Sequence, residues 1–159
     1  MQRTTNAPEA ENNRKNWMAL LAQADPVDLE EARDQLDDNV YFTLKTPTET
    51  GLFRVQGKKD GSGSRFSLGE VTVSKCILEV NGAWQGAAWV MGSNLRHATL
   101  AALFDGLLQD PNYHDRIKAG VLSQLREKEK IRDDQLNQAA RASRMDSSPQ
   151  AAPVRGKRS

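Results

Sequence analysis

The chain has 159 residues, 27% charged and 38% hydrophobic, which suits one domain with a modest core and polar ends. Its formal net charge is +1, so bulk charge singles out neither nucleic acid nor any other charged partner. One cysteine, Cys76, excludes an intrachain disulfide and a CxxC metal motif; with no signal-peptide pattern or long apolar run, the expected compartment is the cytoplasm and no membrane partner is expected.

Residues 1–13 are polar, contain Pro8 and show no periodicity, which predicts a disordered N-terminus. From Arg14 the pattern turns helical, with Trp17, Leu20, Leu21 and Ala24 at helical spacing. Asp25-Pro26 reads as an N-cap followed by proline at the first helical position. The short helix after it has Val27, Leu29, Ala32 and Leu36 as its apolar set.

Extended structure follows. Val40, Phe42 and Leu44 alternate with polar residues, and residues 52–56 form a second strand with Phe53 and Val55 on one face. The polar stretch 57–64 predicts a loop. A third extended segment begins at Arg65, is interrupted at Gly69 and shifts its apolar phase near Ser74-Lys75, which suggests either a bulge there or burial on both faces. Asn81-Gly82 is the strongest turn signal, because both residue types tolerate the positive φ of a tight hairpin. A two-residue loop would set Val80 opposite Ala83. That register places Val80, Leu78, Cys76, Ala83, Ala87, Trp89 and Met91 on a core face, and Glu79, Ile77, Lys75, Trp84, Gly86 and Val90 on a mixed face open to a partner. With Trp89 as the anchor of the core, Trp89→Ala would cost about 3–5 kcal/mol.

Ser93 is the expected cap of a strong helix over residues 94–109, ended by Asp110-Pro111. Another helix starts near Tyr113 with Ile117, Val121 and Leu125 at helical spacing, and continues into a very polar stretch. The expected organisation is a disordered 1–13, an α+β domain over 14–125, a charged helical arm over 126–144 and a disordered basic tail over 145–159. The domain is read as an antiparallel meander of about four strands packed with helices, with two short N-terminal helices and a long C-terminal helix.

The chemistry-bearing candidates are few. Residues 58–66, KKDGSGSRF, free backbone N–H groups at Gly61 and Gly63 beside Lys58, Lys59 and Arg65, so an anion site competes with a plain hairpin loop. No Walker pattern is present. Arg65, at the edge of an ordered strand, is the stronger candidate, with Glu49 and Glu70 as acidic neighbours that equally suit salt bridges within the sheet. His97 lies one turn into a helix, where it suits either a phosphorylated ligand or an interface contact. Cys76 reads as a small buried hydrophobe. Two histidines and one cysteine do not make a zinc site, and no Ser/His/Asp order can be defended, so no metal and no self-sufficient catalytic set is expected.

The ordered set Arg14, 17–22 (WMALLA), 49–52 (ETGL), 61–70 (GSGSRFSLGE), 86–92 (GAAWVMG), His97-Ala98, 102–105 (ALFD) and Leu108-Gln109 resembles the G-subunit family, PhnG, of the bacterial carbon–phosphorus lyase core complex. The resemblance covers about residues 14–125. It implies an accessory subunit of a cytoplasmic hetero-oligomer with H, I and J subunits, joined by the L subunit for the first step of phosphonate catabolism. In that step methylphosphonate replaces adenine on ATP to give α-D-ribose 1-methylphosphonate 5-triphosphate. ATP would be a co-substrate of the complex, with no cofactor bound by this chain alone. Arg65, His97, Glu49 and Glu70 stand at matching positions, and with Gly61, Gly63 and Trp84 they are the expected anion or partner surface. The competing readings are a stand-alone enzyme acting on a phosphorylated ligand through Arg65 and His97, and a nucleic-acid module using the loop lysines with Arg155, Lys157 and Arg158.

Overall fold

A computed structural model describes residues 7–58 and 65–147, and the fold is α+β as the order of elements predicts. Two helices, α1 (Ala7–Gln23) and α2 (Pro26–Asp34), precede strands β1 (Phe42–Leu44), β2 (Glu49–Lys58), β3 (Arg65–Val80) and β4 (Trp84–Met91). Then come α3 (Leu95–Gln109), α4 (Pro111–Ile117), a π-helical turn (Lys118–Leu122) and α5 (Ser123–Ser147). Residues up to Leu125 form one compact unit, and those from Arg126 onward form a second.

Local chemistry explains the N-terminal helices. Trp17, Leu20 and Leu21 are buried at the predicted spacing, although α1 already begins at Ala7, with Pro8 in its first turn where a missing N–H does no harm. Asp25 caps α2 by accepting from the Val27 N–H at 3.0 Å, and Pro26 opens the helix. Asn94, one residue beyond the expected Ser93, caps α3 by accepting from the His97 N–H at 3.0 Å. Asp110 ends α3 and caps α4 through the Asn112 N–H at 2.9 Å.

The sheet is an antiparallel meander organised by β3. On one side β3 pairs with β4; on the other it pairs with β1 and β2, which follow each other along its length without pairing together. The bulge lies at Leu68-Gly69 and not at Ser74-Lys75: Val55 opposes Gly69, Gln56 opposes Ser67, and Gly69 has φ 134°. From Glu70 to Val80 the register is unbroken. The apolar phase shifts because Val71 and Val73 lie on one face of the sheet and the buried Cys76, Leu78 and Val80 on the other.

The hairpin corrects the predicted register. Asn81 (φ 51°) and Gly82 (φ 69°) form the expected turn, with Ala83 N–H donating to Val80 C=O at 3.1 Å. Ala83 is however an extra residue, and Val80 pairs with Trp84, Leu78 with Gly86 and Cys76 with Ala88. A one-residue slip moves every β4 side chain to the other face. Gly86, Ala88 and Val90 therefore lie in the core, whereas Trp89 (47% exposed) and Met91 (75%) do not. The reason is α3. A Cβ on Gly86 would come within 1.9 Å of the Ala102 carbonyl oxygen, and one on Gly106 within 2.3 Å of Val80 Cγ2. Only a glycine on the inner face of β4 admits a helix this close, and the expected register would have put Gln85 there.

Almost all of α3 is buried, from His97 and Ala98 through Leu100–Leu108. Its inner side meets β3 and β4, and its other sides meet α1, α2 and α4. Residues 117–125 pack through Ile117, Leu122 and Leu125. Val121, expected in that set, is only partly buried. The π turn widens the spiral by one residue, so Leu122 and not Val121 falls beneath Ile117.

Candidate functional site

A single acidic side chain ties three elements together. Asp105, in the middle of the apolar α3, is fully buried. Trp17 Nε1 donates to its Oδ1 at 2.8 Å, and Arg14 donates through Nε to Oδ1 at 3.2 Å and through Nη2 to Oδ2 at 2.9 Å. The fourth donor is the backbone N–H of Ala87, at 2.9 Å from Oδ2. Arg14 and Trp17 reach one carboxylate because a three-residue spacing puts them on one face of α1. Ala87 supplies an amide that points away from β3, on the free edge of the sheet. The hydrogen bond to Asp105 pushes the Arg14 guanidinium above the ordinary arginine value, against the opposing effect of burial. With four donors, this buried carboxylate has an organising role.

Sequence reading singled out none of this as a site. The available signal was an acid inside ALFDGLL, a run otherwise without polar side chains. An ionised carboxylate in such a helix must have partners.

The predicted candidates fall in separate places. Glu49 is exposed and stands in register with Lys75, and Glu70 is exposed opposite Arg54. Arg65 opens β3 opposite Lys58, and only its backbone is described. Gly61 and Gly63 lie outside the described residues. His97 is buried, and its Nε2 donates to the Leu21 carbonyl at 3.0 Å, which fastens α3 to α1. The contact lies between two helices of the same chain. The other histidine, His114, donates through Nδ1 to the Leu108 carbonyl at 2.6 Å and meets Trp17 edge-on, with ring centroids 5.8 Å apart. Cys76 is fully buried, with the Thr48 hydroxyl 3.5 Å from its sulfur.

Trp84 is half-buried against the core and borders two clefts. One, of about 820 Å³, is lined by polar groups including Asp37, Asn81, Asp110 and Arg116. Arg116 donates to Asp37 at 3.0 Å within it. The other, of about 570 Å³, has Arg14, Trp17, Gln109 and His114 around it. Among the described residues no group of three His, Cys, Asp or Glu side chains is placed to hold a metal ion, and no helix is long and apolar enough to cross a membrane.

The comparison with protein families decides the kinship. A family model described as phosphonate metabolism protein PhnG matches residues 12–148. The chain belongs to the PhnG family. A relative from Rhizobium meliloti (strain 1021), named alpha-D-ribose 1-methylphosphonate 5-triphosphate synthase subunit PhnG, is 36% identical over 106 residues, which covers 67% of this chain and 68% of that protein. The PhnG match extends past residue 125 into α5, farther than the resemblance carried by the quoted motifs. Within that span, Arg14, Trp17 and Asp105 now have a shared structural role in this PhnG-family chain, and Gly86 has a packing one.

Proposed function

We propose that this chain is an accessory subunit of the enzyme that makes α-D-ribose 1-methylphosphonate 5-triphosphate from ATP and methylphosphonate, with release of adenine, in organic phosphonate catabolism. The observation that carries this reading is the 36% identity with a protein named as a subunit of that synthase. The structure supports a subunit role over self-sufficient catalysis. Both histidines and the cysteine are committed to packing and backbone contacts, and the buried carboxylate is saturated by its donors.

In this reading the chain works in the cytoplasm, assembled with H, I and J subunits and joined by an L subunit for the first step. ATP and methylphosphonate bind the assembly, and this chain holds no cofactor of its own. Arg65, Glu49 and Glu70, on the β2–β3 ribbon, contribute to the anion or partner surface together with Gly61, Gly63 and Trp84. His97 contributes by holding α3 against α1. The experiment is adenine release from ATP plus methylphosphonate, measured for the isolated chain and for the chain co-expressed with the H, I, J and L subunits. Release by the full set that is lost when this chain is omitted is the expected result. Undiminished release without it overturns the subunit role, and release by the chain alone would make it a free-standing enzyme. Arg65→Ala should lower activity or assembly while leaving the melting temperature unchanged.

A further inference from the structure

The smaller cleft beside Trp84, of about 570 Å³, lies where the end of α3 and the start of β4 meet α1 and α4. Four of its side chains share one arrangement: the fold holds part of the group, and one polar atom is left over. Arg14 uses Nε and Nη2 on Asp105, and its Nη1 has no partner among the described residues. Gln109 donates through Nε2 to the Gln85 carbonyl at 2.7 Å and to the Asp105 carbonyl at 3.2 Å, which leaves Oε1. His114 donates through Nδ1 to the Leu108 carbonyl, so its neutral ring presents Nε2 as an acceptor. Trp84 packs on the core, and its indole N–H meets no acceptor among the described residues. No buried side-chain nitrogen or oxygen among the described residues lacks a partner, so these four atoms all reach solvent.

Such groups are ready to bind. A side chain fastened at one end loses little freedom when its other end takes a ligand. A half-buried indole ordinarily directs its N–H to an acceptor, and this one has none within the described chain. Trp17 and Leu108 add apolar wall. A concave site of several hundred Å³ with apolar walls and a few fixed polar atoms is the usual form of a small-molecule site.

The free atoms narrow the class of ligand. Arg14 Nη1 and Trp84 Nε1 are donors, whereas Gln109 Oε1 and His114 Nε2 are acceptors. A simple anion offers acceptors alone and would leave both acceptors of the cleft unmatched. It would also gain little from Arg14, whose charge is balanced by Asp105 at 2.9 Å, with the Glu11 carboxylate on the same wall. A sugar carries a hydroxyl on nearly every carbon and would press several of them against Trp17 and Leu108 without partners. A flat nitrogen heterocycle has N–H donors and ring-nitrogen acceptors along its edge and apolar faces to set against an indole.

We propose that this cleft binds a neutral, flat nitrogen heterocycle of about purine size, held at its edge by Arg14, Gln109, His114 and the Trp84 N–H. The class follows from the cleft. The choice of adenine as the probe rests on the subunit reading above, in which adenine is the base released.

The test titrates the isolated full-length chain with adenine, ribose and benzoate by calorimetry, and follows its amide shifts by NMR. The expected result is a Kd for adenine of about 1 mM or tighter, which is ordinary for a ligand of about ten heavy atoms. Ribose and benzoate should bind at least about tenfold more weakly, and the adenine-induced shifts should include Trp84, Gln109 and His114. Trp84→Phe keeps an aromatic wall and removes the N–H, and Arg14→Lys keeps a cation for Asp105 and removes Nη1. Each should weaken adenine binding about fivefold or more, the worth of one hydrogen bond. Arg116→Lys, in the neighbouring polar cleft, should leave it unchanged. A melting curve for each variant confirms that it is folded at the titration temperature. The proposal is overturned by any of four results: no saturable adenine binding, equal binding of ribose or benzoate, unchanged affinity in both cleft variants, or shifts confined to the cleft around Asp37 and Arg116. The subunit reading survives all four, because it depends on adenine release by the full set of subunits.

Discussion

Asp105 and Ala87 are joined by a 2.9 Å hydrogen bond from a strand-edge amide to a fully buried carboxylate. Helix α3 thus closes the free edge of β4 at its middle, where an unpaired N–H would be costly under the helix layer. The same carboxylate takes Arg14 and Trp17 from α1, so one side chain fixes the relation of helix, strand and helix. Asp105→Ala should cost about 3–5 kcal/mol, the usual consequence of breaking a buried charged network by removing one partner. Urea unfolding measures it. A cost below about 1 kcal/mol would show that solvent serves these donors equally well.

Arg14→Met should cost less, about 1–2 kcal/mol, because the guanidinium is 38% exposed and solvent screens part of its interaction. Its dependence on pH has a definite sign. Pairing with Asp105 raises the Arg14 value, so its contribution is fully present below the ordinary arginine range and is lost only as pH rises through the elevated one. The stability difference between wild type and Arg14→Met should therefore stay constant between about pH 7 and pH 10. A difference that shrinks across that window would mean that Arg14 is not the stabilising cation.

The two glycines under α3 differ in what a methyl group would strike. At Gly86 the obstacles are the Ala102 carbonyl at 1.9 Å and the Gly106 nitrogen at 2.9 Å, all backbone. At Gly106 the first obstacle is the Val80 side chain. Gly86→Ala should cost about 3 kcal/mol or more, and Gly106→Ala about 1–3 kcal/mol. Adding Val80→Ala to Gly106→Ala should cost less than the two changes summed, since the second removes the clash made by the first. Thermal melts of the three variants give the ranking.

Trp89→Ala, which the two-residue loop would make a severe core mutation, should change stability by less than about 1 kcal/mol. Leu78→Ala, on the buried face of the same hairpin, should cost about 2–5 kcal/mol. Equal costs would restore the predicted register.

Cys76 should be unreactive toward a thiol reagent in the native protein and react at once when the chain is unfolded, because its sulfur has no access to solvent. Rapid labelling under native conditions would mean that the sheet opens at that point.

What the sequence showed of this fold was what short stretches decide alone. The spacing of Trp17, Leu20 and Leu21 and the Asp25-Pro26 cap rest on neighbours within a few residues and form as read, and the Asn81-Gly82 turn forms at the expected place with Ala83 added to its loop. The larger misreadings depend on distant chain. The register of β4 is settled by how closely α3 approaches, and the Asp105 network joins residues 88 and 91 positions apart. Val121 gives way to Leu122 through a π turn that a 3.6-residue template cannot represent. For the candidate site, residue type alone drew attention to His97, which serves packing, and gave no weight to Asp105, whose importance lies in its isolation among apolar neighbours.

Ala83 is the one residue by which this hairpin departs from the tightest possible link. Without it, Asn81-Gly82 would still carry the chain round and Val80 would still meet Trp84, now as an ordinary two-residue turn. Chain length is therefore negotiable at Ala83 and nowhere along the strand that follows. Loss of a residue between Trp84 and Val90 would turn everything beyond it inside out, and loss of Gln85 or Gly86 would bring the Ala87 methyl to the place reserved for Gly86. Naturally shortened versions of this hairpin should lack the residue after Gly82 and keep the strand at full length.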